Sequence, residues 1–338
     1  MAGGKLFALL VAGAAAAVVA PMVARSRRNC SFDHKVVVIS GGSRGLGLVL
    51  ARQFADEGAR LVLLARGEEK LRLAAEELMA RGALVHTQVC DVGDRRQVQA
   101  AIHNVVERFG TVDVLINAAG IIEVGPLDTM TLEDFRDTMD VHFWGPLYLS
   151  LSVIPLMRAQ GSGRIVNISS IGGKVSVPHL LPYCASKFAL AGLSEGLRAE
   201  LLKDHIYVTT VFPGLMRTGS HLNAYFKGDN KAEYSWFSIS NALPFGSVAA
   251  ETAARQIIRS ARRGDPELII SLPAQVLSKL EGIVPGLTVD SLALANRLLP
   301  TAKGIKVTKT AGKDSRGLLS PSFLTRLSDR AALQNNEL

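Results

Sequence analysis

From residue 35 to residue 271 the sequence alternates short apolar runs with helical patterns, and that alternation limits the fold more than any other feature. The run at 35–40 (KVVVIS) is apolar after its lysine and ends at Gly41-Gly42, as a strand buried on both faces does. Residues 46–56 have helical spacing and stop at Gly58. Runs at 60–65, 84–89, 112–116, 164–169, 206–212 and 267–271 read as six further strands. Helical patterns fill 68–81, 94–109 (with Asp94 as the N-cap), 132–159, 182–203 and 249–262. Strands separated by helices of this length form parallel βαβ units. The expected class is therefore α/β, a doubly wound parallel sheet of about seven strands with helices on both faces.

The ends of the chain differ from this body. Residues 6–24 form one uncharged Ala/Val/Leu-rich stretch, about long enough to span a bilayer as a helix. Arg25, Arg27 and Arg28 follow it, with only Lys5 before it. The positive-inside rule then puts the following residues in the cytoplasm. A cleaved signal peptide is the rival reading, since Val18-Val19-Ala20 resembles a cleavage site; the arginines just beyond it oppose translocation. The 338-residue chain has a net charge of +8, of which residues 1–35 carry +4 and residues 303–338 another +4. The body between is neutral, which disfavours a nucleic-acid-binding domain. Three scattered cysteines show neither a disulfide framework nor a metal spacing, so no metal is expected. The expected organisation is an anchor with a basic flank (1–28), a catalytic body (29–271), an apolar helical extension cut by Pro273, Pro285 and Pro300 (272–302), and a basic mobile tail (303–338) whose charge suits an anionic lipid surface.

Between the first strand and first helix lies Ser40-Gly41-Gly42-Ser43-Arg44-Gly45-Leu46-Gly47. Glycines let a backbone turn sharply and approach a pyrophosphate, and a helix N-terminus adds free N–H groups. Gly41, Ser43, Arg44, Gly45, Leu46 and Gly47 are accordingly candidate cofactor contacts. An acid at the end of the second strand would hold the ribose 2′-hydroxyl of NAD. Here the strand ends in Ala65-Arg66, with no acid before Glu68. Arg66 and Arg44 together favour a 2′-phosphate, hence NADP over NAD.

Three more motifs follow: Asn117-Ala118-Ala119-Gly120 after the fourth strand, Ser169-Ser170 after the fifth, and Tyr183-Cys184-Ala185-Ser186-Lys187 opening the next helix. With the glycine loop, in this order and spacing, the chain resembles the short-chain dehydrogenase/reductase family in its classical form over about residues 35–271, as a membrane-anchored member. The resemblance implies a Rossmann-type fold and a catalytic set of Ser170, Tyr183 and Lys187, with Lys187 also holding the nicotinamide ribose. It further implies that Asn117, Ala118 and Gly120 line the cofactor site, that Asp91 and Val92 lie at the adenine, and that Pro213, Gly214 and Thr218 lie at the nicotinamide end.

The chemistry also follows from the residues. Tyr183 and Lys187 are four apart and share a helix face. A phenol is a poor base at neutral pH, and an adjacent ammonium should lower its pKa. Tyr183 can then give a proton to a carbonyl or take one from an alcohol. Ser170 would hydrogen-bond the same oxygen. The family usually has an asparagine in the long fourth helix, serving a proton relay; His142 occupies that position here. An imidazole can both donate and accept, so a pH-sensitive relay is one expectation and a merely packed histidine the other.

The insertion at 217–246 holds six of the nineteen aromatics: Tyr225, Phe226, Tyr234, Trp236, Phe237 and Phe245. The family caps its substrate there. An aromatic cap suits a bulky apolar substrate, and a small local core is the alternative. Apolar faces at 274–284 and 289–299 could dock on the domain, pair subunits in a homo-dimer or homo-tetramer, or enter a membrane interface, which the anchor favours. The resulting expectation is a membrane-bound NADP(H)-dependent reductase or dehydrogenase with a lipophilic substrate: a steroid, a retinoid, a long-chain 3-oxo lipid or a ketone-bearing xenobiotic. The alternatives are a non-catalytic NADP-binding redox sensor at a membrane, which would not need Ser170, Tyr183 and Lys187, and a sugar-nucleotide epimerase, which would need a larger polar substrate domain.

Overall fold

The computed structural model describes residues 28–242, 246–301, 307–317 and 325–338. The expected anchor at 6–24, with Arg25 and Arg27, lies outside the described residues, as do Phe245, Lys303 and Lys306. Among the described residues no helix is long and apolar enough to cross a membrane.

Seven parallel strands form the central sheet: β1 (Val36–Ser40), β2 (Arg60–Ala65), β3 (Val85–Val89), β4 (Val114–Asn117), β6 (Gly163–Ile168), β7 (Ile206–Pro213) and β11 (Glu267–Ile270). Their spatial order is β3-β2-β1-β4-β6-β7-β11, with every pairing parallel. Strand order reverses between β1 and β4, and in such sheets ligands bind outside the carboxyl ends of the strands at that point.

Alternation along each strand divides the core in two. Val37, Ile39, Leu61, Leu63 and Val114 point to one face. There they meet Leu48 and Phe54 of α1 (Gly45–Asp56), Leu71 and Leu78 of α2 (Glu68–Ala80) and Ile257 of α8 (Ala250–Arg263). Val36, Val38, Val62, Leu64 and Leu115 point to the other face, against Val98 and Val105 of α3 (Arg95–Phe109) and Leu149 and Val153 of α5 (Gly145–Ala159). Both faces of the sheet are covered, which is why β1 reads as an unbroken apolar run. Asp94 caps α3, its side chain accepting from the Arg96 and Gln97 N–H groups.

The helical pattern at 132–159 is interrupted. Helix α4 (Leu132–Met139) passes through one π-turn at Asp140–Trp144, whose closing bond runs from the Gly145 N–H to the Asp140 carbonyl, before α5 begins. Such bulges are frequent at functional sites, and this one carries the fully buried His142. Short strands with no clear sequence signal complete the fold. β5 (Glu123–Val124), β9 (Tyr225–Phe226) and β12 (Thr310–Ala311) form one small sheet; β8 (Leu215–Arg217) and β10 (Ser247–Ala249) form another.

Two expectations need correction. The first concerns the mobile tail: within it, the described residues fold back onto the body. Lys309, beside β12, pairs with Glu123, Asp134 and Asp137, so its charge is used inside the molecule rather than offered to lipid. Helix α11 (Arg326–Gln334) packs Ala332 into a small core with Phe226, Tyr234 and Phe237. That core is the second correction. Most of the insertion's aromatics fill it, among them residues of α7 (Asn230–Ala242), instead of facing a substrate; the local-core alternative describes them. The 274–299 region forms helices α9 (Leu272–Ile283) and α10 (Pro285–Asn296), most of whose large apolar side chains remain exposed, Ile283 at 77% among them.

Candidate active site

A cavity of about 470 Å³ opens at the strand reversal. Its walls come from the turn after β1, the ends of β2 and β4, the Ile168–Ser170 corner after β6, helix α6 (Leu181–Leu201) and the Pro213-Gly214 corner after β7. Gly41, Ser43, Arg44, Gly45, Leu46, Gly47, Arg66, Asp91, Val92, Ala118, Gly120, His142, Ser170, Tyr183, Lys187, Pro213, Gly214 and Thr218 all line it. Asn117 does not. It is buried, and its side-chain amide donates to Asn167 Oδ1 at 2.7 Å, tying β4 to β6 behind the site.

The glycine turn is built for close approach. Gly41 has a φ of +73°, and a Cβ on it would sit 2.7 Å from the Ala119 backbone; a Cβ on Gly47 would sit 2.1 Å from the Gly41 carbonyl oxygen. Only glycine lets the strand end, the helix start and the β4 corner pack this tightly. The dinucleotide fit rests on this cradle and on the charges beside it. Arg44, Arg66 and Lys70 line the same end of the cavity, and no acid ends β2. Burial, then the Arg44 charge, lowers the Lys70 pKa. This cationic end fits a 2′-phosphate and would repel neither it nor the pyrophosphate. Lys70 was not foreseen; its signal was a lysine in the first turn of the helix following β2.

At the other end stand Ser170, Tyr183 and Lys187. Tyr183 and Lys187 sit one helical turn apart on α6, whose first turn faces the β6 corner. Ser170 Oγ accepts from the Gly172 N–H at 3.0 Å, which fixes its rotamer. Burial pushes the Tyr183 phenol up to about 12, and a hydrogen bond with Ser170 pulls the other way. Lys187 Nζ donates to the Ile168 carbonyl at 2.9 Å, and burial brings its ammonium down to about 7. The expectation that Lys187 would lower the Tyr183 pKa is not met: desolvation dominates both groups. The phenol is protonated at neutral pH, poised to donate.

Of the two readings of His142, the geometry matches the packed histidine. The Ile121 N–H donates to its Nε2 at 3.2 Å, so Nδ1 carries the hydrogen, facing Ser186 Oγ at 2.8 Å. Ser186 in turn donates to the Tyr183 carbonyl. Burial, then the Lys187 charge, holds the imidazole well below its usual pKa. It is neutral, with both nitrogens engaged. It ties the β4 corner to α6 and lies edge-on to the Tyr183 ring at 5.4 Å. That is a positioning role, and it removes the reason to expect a pH-sensitive relay.

A second cavity, of about 560 Å³, lies beneath α10. Val175, Val177, Leu181, Phe188, Val289 and Leu292 are among its lining residues. Part of its wall is the loop that joins Ser170 to Tyr183.

This fold and site define a dinucleotide-dependent oxidoreductase. The family model for short chain dehydrogenases matches residues 35–225. A putative ketoacyl reductase from Streptomyces coelicolor is 38% identical over 188 residues, 55% of this chain and 72% of that protein. Dehydrogenase/reductase SDR family member 7B from Xenopus laevis is 32% identical over 317 residues, 91% of this chain and 93% of that protein. Among solved structures, L-sorbose reductase from Gluconobacter frateurii, complexed with NADPH and L-sorbose, superposes with a TM-score of 0.65 at 27% identity, covering 72% of this chain and 97% of that one. The chain belongs to the short-chain dehydrogenase family. It is an oxidoreductase of CH–OH and C=O groups.

Proposed function

We propose that this protein reduces a carbonyl on a lipophilic substrate with NADPH, held at a membrane with its catalytic body on the cytoplasmic side. The observation that carries the reaction is the placing of Tyr183 with Ser170, one helical turn from Lys187, in the cavity that the glycine turn opens. When bound, NADP(H) supplies or accepts the hydride. The protein's own residues do the rest. Arg44, Arg66 and Lys70 would hold the 2′-phosphate, and the glycine turn the pyrophosphate. Ser170 would orient the carbonyl oxygen and steady its developing charge. Tyr183 would give that oxygen its proton. His142 keeps Ile121 and α6 in register while this happens.

The lipophilic substrate class no longer leans on the aromatic insertion. It is supported by the apolar cavity beneath α10 and by exposed Leu272, Val276, Leu280, Ile283, Leu287 and Leu294 on α9 and α10. A pair of short helices with such faces suits an interface between water and lipid. The ketoacyl reductase likeness favours a 3-oxo acyl lipid within that class. A screen of NADPH consumption against long-chain 3-oxo lipids, steroid ketones, retinal and short polar ketones tests this reading. Turnover of long apolar ketones, rising with chain length, is expected; turnover confined to short polar ketones would overturn the substrate class. Membrane pelleting of the full chain, set against one starting at Asn29, tests the anchor: only the longer chain should need detergent for release.

A further inference from the structure

The last described residues lie in the phosphate end of the cofactor cavity. Helix α11 brings them there. It docks through Ala332 against Gly219, where an added Cβ would fall 2.4 Å from the Ala332 Cα, and through Asp329, 3.3 Å from His221. Beyond the helix, four residues take up the groups that a dinucleotide phosphate would use. The Gly45 N–H, at the mouth of the glycine turn, donates to the Asn335 carbonyl at 2.8 Å. The Asn336 side chain donates to the Ser43 carbonyl at 2.9 Å. Lys70 Nζ donates to the Asn336 carbonyl at 2.8 Å, and also to the Leu338 backbone oxygen. The Glu337 carboxylate lies 3.5 Å from Arg44 Nε and accepts from Asn223 Nδ2 at 2.7 Å. One of its oxygens stands 2.5 Å from where a Cβ on Gly45 would be. The side chain therefore fills the space that the bare glycine leaves.

We propose that the 335–338 segment is an internal competitor of the dinucleotide: it occupies the phosphate seat of the glycine turn and must leave before NADPH binds. The chemistry matches at each point. A carboxylate faces the arginine and the lysine expected to hold a 2′-phosphate, and a carbonyl oxygen takes the N–H expected to face a pyrophosphate. Two anions cannot share that space. Arg52 is gripped by Glu77 through two bonds of 2.6 and 2.8 Å. It holds the Gln334 carbonyl at 2.7 Å and the Asn335 side chain at 2.9 Å. Opening of the seat therefore also breaks the Arg52–Asn335 bond, while the Gln334 bond can keep helix α11 docked. The apparent affinity for NADPH is then the intrinsic affinity reduced by the fraction of molecules with the seat open. The seat sets how much enzyme is competent at a given NADPH concentration.

This rests on the reading of the glycine turn as the cofactor's phosphate site, and the test separates the two. NADPH dissociation constants are measured by calorimetry for the full chain, for full-length Asn336→Ala/Glu337→Ala, and for a chain ending at Gln334. Hydrogen exchange of residues 326–338 is followed in the unmodified full chain with and without NADPH. The proposal expects the double variant and the shortened chain to bind NADPH tighter, by about tenfold in the shortened chain because charge-assisted contacts are lost there. In the unmodified chain, saturating NADPH should speed exchange at the Glu337 amide, which is bonded to the Ala332 carbonyl, while the amides within α11 stay protected. NADPH binding that weakens in both variants, or exchange at 335–338 that slows with NADPH, would make the segment part of the cofactor seat and overturn the proposal. Equal dissociation constants in all three chains would overturn it while leaving the cofactor reading intact. Failure of every chain to bind NADPH would overturn both. Should the variants misfold, the exchange result on the unmodified chain decides alone.

Discussion

Gly47→Ala tests whether the turn after β1 is a phosphate cradle held by contact rather than a flexible loop. The added methyl would lie 2.1 Å from the Gly41 carbonyl oxygen, 2.8 Å from its carbon and 3.2 Å from the Gly42 Cα. Non-bonded carbon contacts settle near ~3.5–4.0 Å, so the first turn of α1 and the end of β1 must separate by more than about 1 Å. Both are backbone, and no rotamer change relieves them. Over-packing of this kind costs about 1–3 kcal/mol. At ~1.4 kcal/mol per tenfold, a strain that spoils the cradle should weaken NADPH binding by about 5- to 150-fold. The same strain should lower the melting temperature. Gly192→Ala is the matched control. Gly192 lies inside α6 with nothing within 4 Å of an added Cβ, so it should bind NADPH normally and gain about 0.4–1 kcal/mol of stability. Calorimetric titration with NADPH and a thermal melt of each variant measure both effects. If Gly47→Ala keeps wild-type affinity and melting temperature, the close-packed cradle is not what binds the cofactor.

Three further outcomes follow from the site. Replacing Arg44 and Lys70 together by alanine should cut the preference for NADPH over NADH by about 10- to 100-fold, as loss of charge-assisted contacts predicts; the ratio of the two dissociation constants is the readout, since any loosening of residues 335–338 cancels in it. Lys187, held at about 7 by burial against an ordinary 10.5, binds fewer protons folded than unfolded between those values. Stability should therefore rise with pH from 7 to 10.5, and urea midpoints at pH 7 and pH 9 should show a flatter rise in Lys187→Met. Lys309→Ala leaves the buried Glu123 without a cation, while Asp134 keeps Lys227; breaking a buried pair costs about 3–5 kcal/mol, and the partial exposure of Lys309 reduces the expected loss to about 2 kcal/mol in urea denaturation.

The central sheet was legible because its inner strands are buried on both faces, and the runs at Val36–Ser40 and Arg60–Ala65 carry that burial directly in their composition; the edge strand β3 is only half-buried and carries a weaker pattern. The catalytic end was legible because Tyr183 and Lys187 lie on one helix and Ser170 on the strand corner facing it. What escaped was set by long-range contact. Glu337 reaches Arg44 across most of the chain, and no local pattern announces that meeting. Lys309 looked like one basic residue of a solvated tail, yet it faces carboxylates delivered by β5 and α4. His142 could be named as a departure at its position, but the π-turn that buries it and the Ile121 amide that sets its tautomer exist only in the folded chain. Phe226, Tyr234, Trp236 and Phe237 illustrate the same limit: composition marked them as apolar, and only packing showed that they face one another.

The proposed mechanism makes Tyr183 the proton donor in a site whose cofactor seat works independently of it. The most direct measurement is a single-turnover reduction of an apolar ketone by Tyr183→Phe, alongside its NADPH dissociation constant. The phenyl ring keeps the edge-on contact with His142 and removes only the hydroxyl beside Ser170. Loss of a positioned general acid costs about 10²- to 10⁴-fold, so the rate should fall by at least that lower figure while NADPH affinity stays within about twofold. A Tyr183→Phe enzyme that reduces the ketone at the wild-type rate would contradict the claim.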